Sequence, residues 1–311
     1  MTTLYLDRRA LSLEVQGGAV VLRHNGKLVQ TIPLTMLERI VAHGKVYTDT
    51  GALARLAEAG VGFFALTGRR IRFGAALVGR PHGDVCLRLE QYQGYLDPLS
   101  RRRWARRVVR AKVAGEMRFL RRLLVNRPGQ RHALEEALAR LEAEARRLED
   151  EDLSISALLG IEGAAAAAYF SGFSAVFPPS LGFSGRNRRP PRDPVNACLS
   201  LGYTLLHAEA IHAAHGAGLD AMVGFLHEPA FGRESGALDL AEPFRVYVDR
   251  LVFELFALRI LRKEHFKAQG EGVLLGKAGR SRFYAHYEAL AASLRRLLRR
   301  TAQAVARELA P

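Results

Sequence analysis

The carboxylate of Glu162, in LLGIEGAAAAAYF, is the only charged group between Asp152 and Arg186. Its neighbours are apolar and small residues of high helix propensity, so it has little local solvation. A buried carboxylate is rare unless it is paired or bound to a metal. Gly160 and Gly163 beside it cost helix stability against Ala, and they permit a close approach by another backbone or a ligand. His227 closes the apolar run GFLH, and Asp239 and Glu242 stand three apart just before Pro243 and a long apolar segment. Taken alone, that acidic pair reads as helix capping. Asp239 as N-cap with Glu242 at N3 has the form of a capping box, and Pro243 suits a first turn if Glu242 is itself the cap. Taken with Glu162 and His227, these oxygens and the imidazole nitrogen suit Mg²⁺ or Mn²⁺. A divalent ion beside basic surface points to phosphodiester chemistry.

Other chemistries are excluded by spacing. GEGVLLGKAGR carries Glu271 and Ala278 where a phosphate-binding loop needs Gly and Ser or Thr. No GxGxxG opens a helix after a strand, and HExxH is absent. His207, His212 and His215 share one helical segment, but no carboxylate or Cys completes a metal set there; they read as surface or capping histidines. The two cysteines, Cys86 and Cys198, form no disulfide framework or zinc motif. The start MTTLYLDRR has no apolar signal region and no run reaches about 18 apolar residues, so a cytoplasmic protein is expected.

The 311 residues carry 46 Lys and Arg against 31 Asp and Glu, a formal charge of +15. The excess is clustered. Residues 101–122 hold ten basic groups and one acid, among them Arg101, Arg102, Arg103, Arg106, Arg107 and Arg110. The Pro-rich stretch 185–193 adds Arg186, Arg188, Arg189 and Arg192, and 294–300 adds four more arginines. Any one run reads as a solvated helix face, but three together favour a phosphate backbone as partner.

An α+β chain must position these groups. Residues 1–77 read as a small β domain: Leu11, Leu13 and Val15 alternate, Asn25-Gly26 marks a hairpin, and 61–66 and 71–73 read as strands around the turn TGRR. One short helix is expected at 50–60, with Thr50 as N-cap and Gly60 beyond its end. Residues 78–100, rich in Gly, Pro and Asp, read as a linker, and 101–311 as an all-helical catalytic domain. Within it, 131–150 is amphipathic, 194–215 is a long helix, another runs from Asp239–Pro243 to about His265, and 282–308 is helical and basic.

The chain resembles the CRISPR-associated spacer integrases, the "Cas-one" family. The resemblance rests on GxEGxxxxxYF at 160–170, PPxDPVNACLSLGYTLLHAEA at 190–210, AGLD…GFLHE at 217–228 and LDLAEPFR at 238–245, in order and over nearly the whole chain. HGKVYTDTGALARLAEAGVGFFAL resembles the end of that family's β domain. The resemblance implies metal ligands at Glu162, His227 and Glu242, with Asp239 as support or alternative ligand. It also implies Mg²⁺ or Mn²⁺, a homodimer, a small ferredoxin-like partner dimer ("Cas-two"), and insertion of short double-stranded DNA fragments into a CRISPR array. The reaction implied is attack of a fragment's 3′-hydroxyl on a repeat-boundary phosphodiester, with water in its place giving endonuclease activity. The arginine runs, with Arg245 of LDLAEPFR, are then expected to bind DNA. A non-catalytic DNA-binding architectural subunit is the competing reading, and a phosphohydrolase of small substrates a weaker third.

Overall fold

Alternation sets the first strands. Leu11, Leu13 and Val15 are buried along β2 (Leu11–Gln16), which pairs antiparallel with β3 (Ala19–His24). β3 pairs antiparallel with β4 (Lys27–Pro33) through Asn25 and Gly26, at φ of 51° and 78°. Two positive φ values are what a two-residue hairpin of matching twist demands, and Asn-Gly supplies them at low strain. β6 (Val46–Thr48) adds in parallel to β2, so this sheet has the order β4-β3-β2-β6. A second sheet runs β1 (Thr2–Leu6), β5 (Leu37–His43), β7 (Gly62–Thr67), β8 (Arg72–Leu77), parallel except for β8. Helix α1 (Thr50–Glu58) leads into β7; its N-cap is Asp49, accepting from Ala52 N at 2.7 Å, rather than Thr50, which is already helical. Gly60 follows it at φ 69°. One core takes residues from both sheets and the helix, including Leu6, Leu13, Val20, Ile40, Leu56 and Val61.

This computed structural model describes residues 2–8, 10–68, 71–79, 82–188 and 190–310. Arg69 and Arg70 of the expected TGRR turn, and Arg189, lie outside them. The chain divides into two compact units, Met1–His82 and Gly83–Pro311.

The second unit starts inside the expected linker. Residues 85–96 form helix α2 (Val85–Leu96), capped by Asp84, which accepts from Leu87 N at 3.0 Å. The Gly and Pro signals apply only to the stretch before that cap. Asp97 closes α2 and caps α3 (Pro98–Asn126), accepting from Ser100 N at 2.9 Å with Pro98 in the first turn. α4 (Arg131–Arg147) and α5 (Ile155–Ala175) pack with α3. α5 is long and apolar enough to cross a membrane by composition alone, but here it is a helix of this bundle. α6 (Pro194–Gly216), capped by Asp193, is buried along most of its length. It lies so close to α8 (Arg245–Ala257) that a Cβ on Gly202 would fall 2.3 Å from Val248 Cγ1.

The helix expected to start near Asp239–Pro243 and run to about His265 starts slightly later and ends at Ala257. α7 spans Ser235–Ala241, a 3₁₀ turn takes Glu242–Phe244, and α8 begins only at Arg245. Pro243 has no N–H to continue the helical ladder, which accounts for the break. A hairpin of β9 (Phe266–Gln269) and β10 (Gly272–Leu275), not anticipated from sequence, precedes α9 (Lys277–Leu309).

Candidate metal centre

α3 buries the stripe Ala105, Val109, Lys112, Val113, Glu116, Leu120 and Leu123. Helical spacing thus carries one ammonium and one carboxyl inward among apolar groups. Glu162 projects from α5 with its side chain 20% exposed, and Glu242 from the 3₁₀ turn at 3%. Lys112 bridges them: its Nζ pairs with Glu162 Oε1 and lies 2.8 Å from Glu242 Oε2. The other oxygen of Glu242 takes Arg245 Nη2 at 2.9 Å. Two ligand candidates 80 residues apart are therefore turned toward one positive charge.

The electrostatics follow from this arrangement. Burial pushes the Glu242 carboxyl up, but Arg245 and Lys112 outweigh it and hold it down at about 2. Burial works to strip the Lys112 proton, and Glu242, Glu116 and Glu162 more than restore it. Glu116 lacks such compensation: burial raises it to about 8 despite Lys112, so it is a neutral acid near pH 7.

His227 is placed by a different device. Asp239, inside α7, accepts from Phe225 N at 2.6 Å and Leu226 N at 2.8 Å through Oδ2. Its Oδ1 accepts from His227 N at 3.2 Å and lies 2.7 Å from His227 Nδ1. The capping-box expectation is thus corrected, because Asp239 receives N–H groups of another segment instead of its own helix's first turn. Gly224 makes this possible, since a Cβ there would fall 2.6 Å from Ser235 O and 2.8 Å from Asp239 Oδ2. The carboxylate accepts a hydrogen bond from Nδ1–H and so fixes the tautomer, leaving the Nε2 lone pair available. Arg101 steadies the same segment, donating to Phe225 O at 3.1 Å and pairing with Glu228 at 3.1 Å.

Behind the carboxylates lies a buried polar network. Tyr169 donates to Asp249 Oδ2 at 2.9 Å, and Tyr203 donates to Asp249 Oδ1. Burial raises Asp249 to about 6 even against these two bonds and the nearby Arg186 and Arg245. Arg186 and Arg245 both lie over the Tyr203 ring, at 5.3 and 5.0 Å. Arg186 also donates to Asn196 Oδ1 at 2.8 Å and Ser200 Oγ at 3.0 Å.

The sequence-nominated residues thus separate into groups. Glu162 and Glu242 converge, and Asp239 holds His227. Among the described residues, no three His, Cys, Asp or Glu side chains stand assembled to hold a metal ion. The donor types nevertheless fit one: two carboxylates already share a cation, and an imidazole is presented in the tautomer a metal requires. Gly160 and Gly163 face open space within 4 Å, with no backbone against them. Of the arginines, Arg103, Arg107, Arg110, Arg188 and Arg192 are exposed. Arg107 is paired with Glu308, Arg106 with Glu151 at 2.8 Å, and Arg102 donates to Pro98 O at 3.3 Å. Arg186 and Arg245 serve the interior. Sequence reasoning passed over Lys112 and Gly224. The signal for Lys112 was present: it is the one lysine among ten basic residues at 101–122, four residues before the only acid.

The family model for CRISPR associated protein Cas1 matches residues 4–289. The CRISPR-associated endonuclease Cas1 1 of Thermodesulfovibrio yellowstonii is 37% identical over 311 residues, covering 99% of this chain and 97% of the relative. The solved Cas1 protein from Thermotoga maritima is 26% identical with a TM-score of 0.87, covering 99% of this chain and 97% of that one. A casposase bound to integration product shares the fold, with a TM-score of 0.84 at 22% identity, covering 99% of this chain and 91% of that one. Matched over most of its length by the family model and nearly end to end by a relative above 30% identity, the chain belongs to the CRISPR associated protein Cas1 family.

Proposed function

We propose that this protein is a metal-dependent DNA endonuclease and integrase. The 3′-oxygen of a short double-stranded DNA fragment attacks a repeat-boundary phosphodiester of a CRISPR array, and as the new P–O bond forms the bond to the adjoining strand's 3′-oxygen breaks, that oxygen leaving as a 3′-hydroxyl. The observation that carries this reading is the convergence of Glu162 and Glu242 on one cation in a chain of net charge +15. Glu162, Glu242 and His227 Nε2 would hold Mg²⁺ or Mn²⁺. Held there, the ion would supply positive charge against the reacting phosphate and would lower the barrier to activating the attacking oxygen. The chain's own residues do the rest. Asp239 positions His227 through Nδ1 and is a support, its oxygens being occupied by N–H groups. Arg245 fixes the rear oxygen of Glu242. The exposed arginines Arg103, Arg110, Arg188 and Arg192 supply sequence-independent contacts to phosphates. The protein works in the cytoplasm as a homodimer with a ferredoxin-like "Cas-two" dimer.

The Glu162→Ala variant is expected to lose Mn²⁺-dependent strand transfer and plasmid nicking while DNA binding stays near wild type. Joining at the wild-type rate would overturn the assignment and leave the architectural subunit as the reading.

A further inference from the structure

Lys112 stands where the proposed cation would have to stand. Its side chain is 8% exposed, and its ammonium faces both ligand carboxylates at once. It is not held there for want of neighbours, because Glu116 lies one helical turn along the same buried stripe. Its contact with Glu242 is close as well, the ammonium lying 2.8 Å from a buried Oε2. A hard divalent ion binds carboxylate oxygens at about 2.0–2.6 Å. An ammonium and such an ion cannot both sit between the same two oxygens. With Arg245 already on Glu242, the pocket would hold two fixed positive charges and a divalent ion against Glu162 and Glu242.

Resting on the functional reading above, we propose that Lys112 is a tethered substitute for the metal. In metal-free protein it neutralises Glu162 and Glu242 and keeps them together, and the divalent ion binds only by displacing it. Metal affinity is thereby lowered when no DNA is present. A bound DNA phosphate offers the displaced ammonium a new anionic partner, so DNA and metal bind cooperatively, and by linkage each raises the affinity of the other. Lys112 is in this sense a positioning residue: it acts on the metal through the carboxylates. The device would keep a potential nuclease unloaded until its substrate arrives.

The test is direct Mn²⁺ titration, following the free ion by electron paramagnetic resonance, with wild type, Lys112→Met, Lys112→Gln and Glu162→Gln. The first expectation is that wild type binds Mn²⁺ and Glu162→Gln does not. The second is that Lys112→Met and Lys112→Gln bind Mn²⁺ at least tenfold more tightly than wild type without DNA. The third is that adding a DNA duplex narrows that gap. Thermal denaturation supplies an independent readout: both Lys112 variants melt lower than wild type in chelator, and Mn²⁺ raises their melting temperature by more than it raises wild type's. Lys112→Gln, which can still donate a hydrogen bond, covers the case in which Lys112→Met does not fold. If Mn²⁺ binds wild type and is lost in Glu162→Gln, but the Lys112 variants bind equally or more weakly, the metal site stands and the substitute role is refuted. If none of the proteins binds Mn²⁺, both readings fall.

Discussion

Replacing Asp239 by Asn tests the whole support of His227, because the structure dictates how the amide must turn. Oδ2 receives Phe225 N and Leu226 N at 2.6 and 2.8 Å, so that position must remain an acceptor. The amide nitrogen is then forced into the place of Oδ1, 2.7 Å from His227 Nδ1. A donor there requires Nδ1 to accept, which moves the imidazole proton to Nε2 and removes the lone pair a metal would use. Loss of such outer support typically costs about 10–100-fold in metal affinity. The fold loses the acceptor for His227 N, a cost of about 1–3 kcal/mol. Asp239→Ala strips three backbone N–H groups and the His227 Nδ1–H of their acceptor and should be less stable than Asp239→Asn. Mn²⁺ titration, with ¹⁵N spectra of the imidazole to read the tautomer, separates the effects. An Asp239→Asn protein that has switched tautomer yet binds Mn²⁺ within twofold of wild type would remove His227 from the ligand set.

Other substitutions address the remainder of the cluster and the charged surface. The Glu116 carboxyl, raised from 4.5 to about 8, keeps in the folded state a proton that the unfolded chain releases, so wild-type stability falls as pH rises between those values, by up to about 1.4 kcal/mol per pH unit. Glu116→Gln lacks that slope, and denaturant melts should show it gaining on wild type from pH 5 to 8 and holding the gain above. Arg295 of α9 pairs with Glu209 of α6 at 3.2 Å and with Glu288 of its own helix at 2.7 Å; Arg295→Met breaks this buried pairing between helices and should cost about 3–5 kcal/mol in urea unfolding. Arg188→Ala with Arg192→Ala should lower the salt slope of DNA binding by about 2 without altering Mn²⁺ affinity, whereas Arg186→Ala should lower the melting temperature.

Residue type exposed more of this molecule than position did. Glu162 announced itself because a carboxylate in a Gly- and Ala-rich helix needs a partner, and it has one. What stayed hidden was the partner's identity. Lys112 lies 50 residues earlier, inside a run that reads as solvated, and only the α3 stripe turns it inward. Arg186, Arg245 and Arg295, outside that run, mislead in the same way: their charges look like surface and are spent on Tyr203, Glu242 and Glu209. Strands with a single buried face and a turn demanding Asn-Gly were legible from local pattern. Pro243 reads from the sequence as a first-turn residue, but the consequence of its missing N–H, a break between α7 and α8 that leaves Glu242 on a tight turn facing α3, is a tertiary fact.

The buried charges are costly for stability, and that cost bears on function. Replacing buried ion pairs by packed apolar groups is often neutral or stabilising. Here Lys112, Glu116, Glu242 and Asp249 are buried within one bundle with Arg245 half-buried beside them, and Tyr169 and Tyr203 are bonded to Asp249. Stability alone gives no reason to keep them. Geometry does: Arg245 is shared between Glu242 and the Tyr203 ring, Tyr203 is bonded to Asp249, and Asp249 to Tyr169, seven residues along α5 from Glu162. The chain of contacts therefore leaves from one candidate ligand and returns to the helix that carries the other. A shift of α8 against α5 would break charge-assisted bonds in a low-dielectric interior, where their loss is most costly. The network thus fixes the separation of the two carboxylates, which is the quantity that a single small cation between them requires.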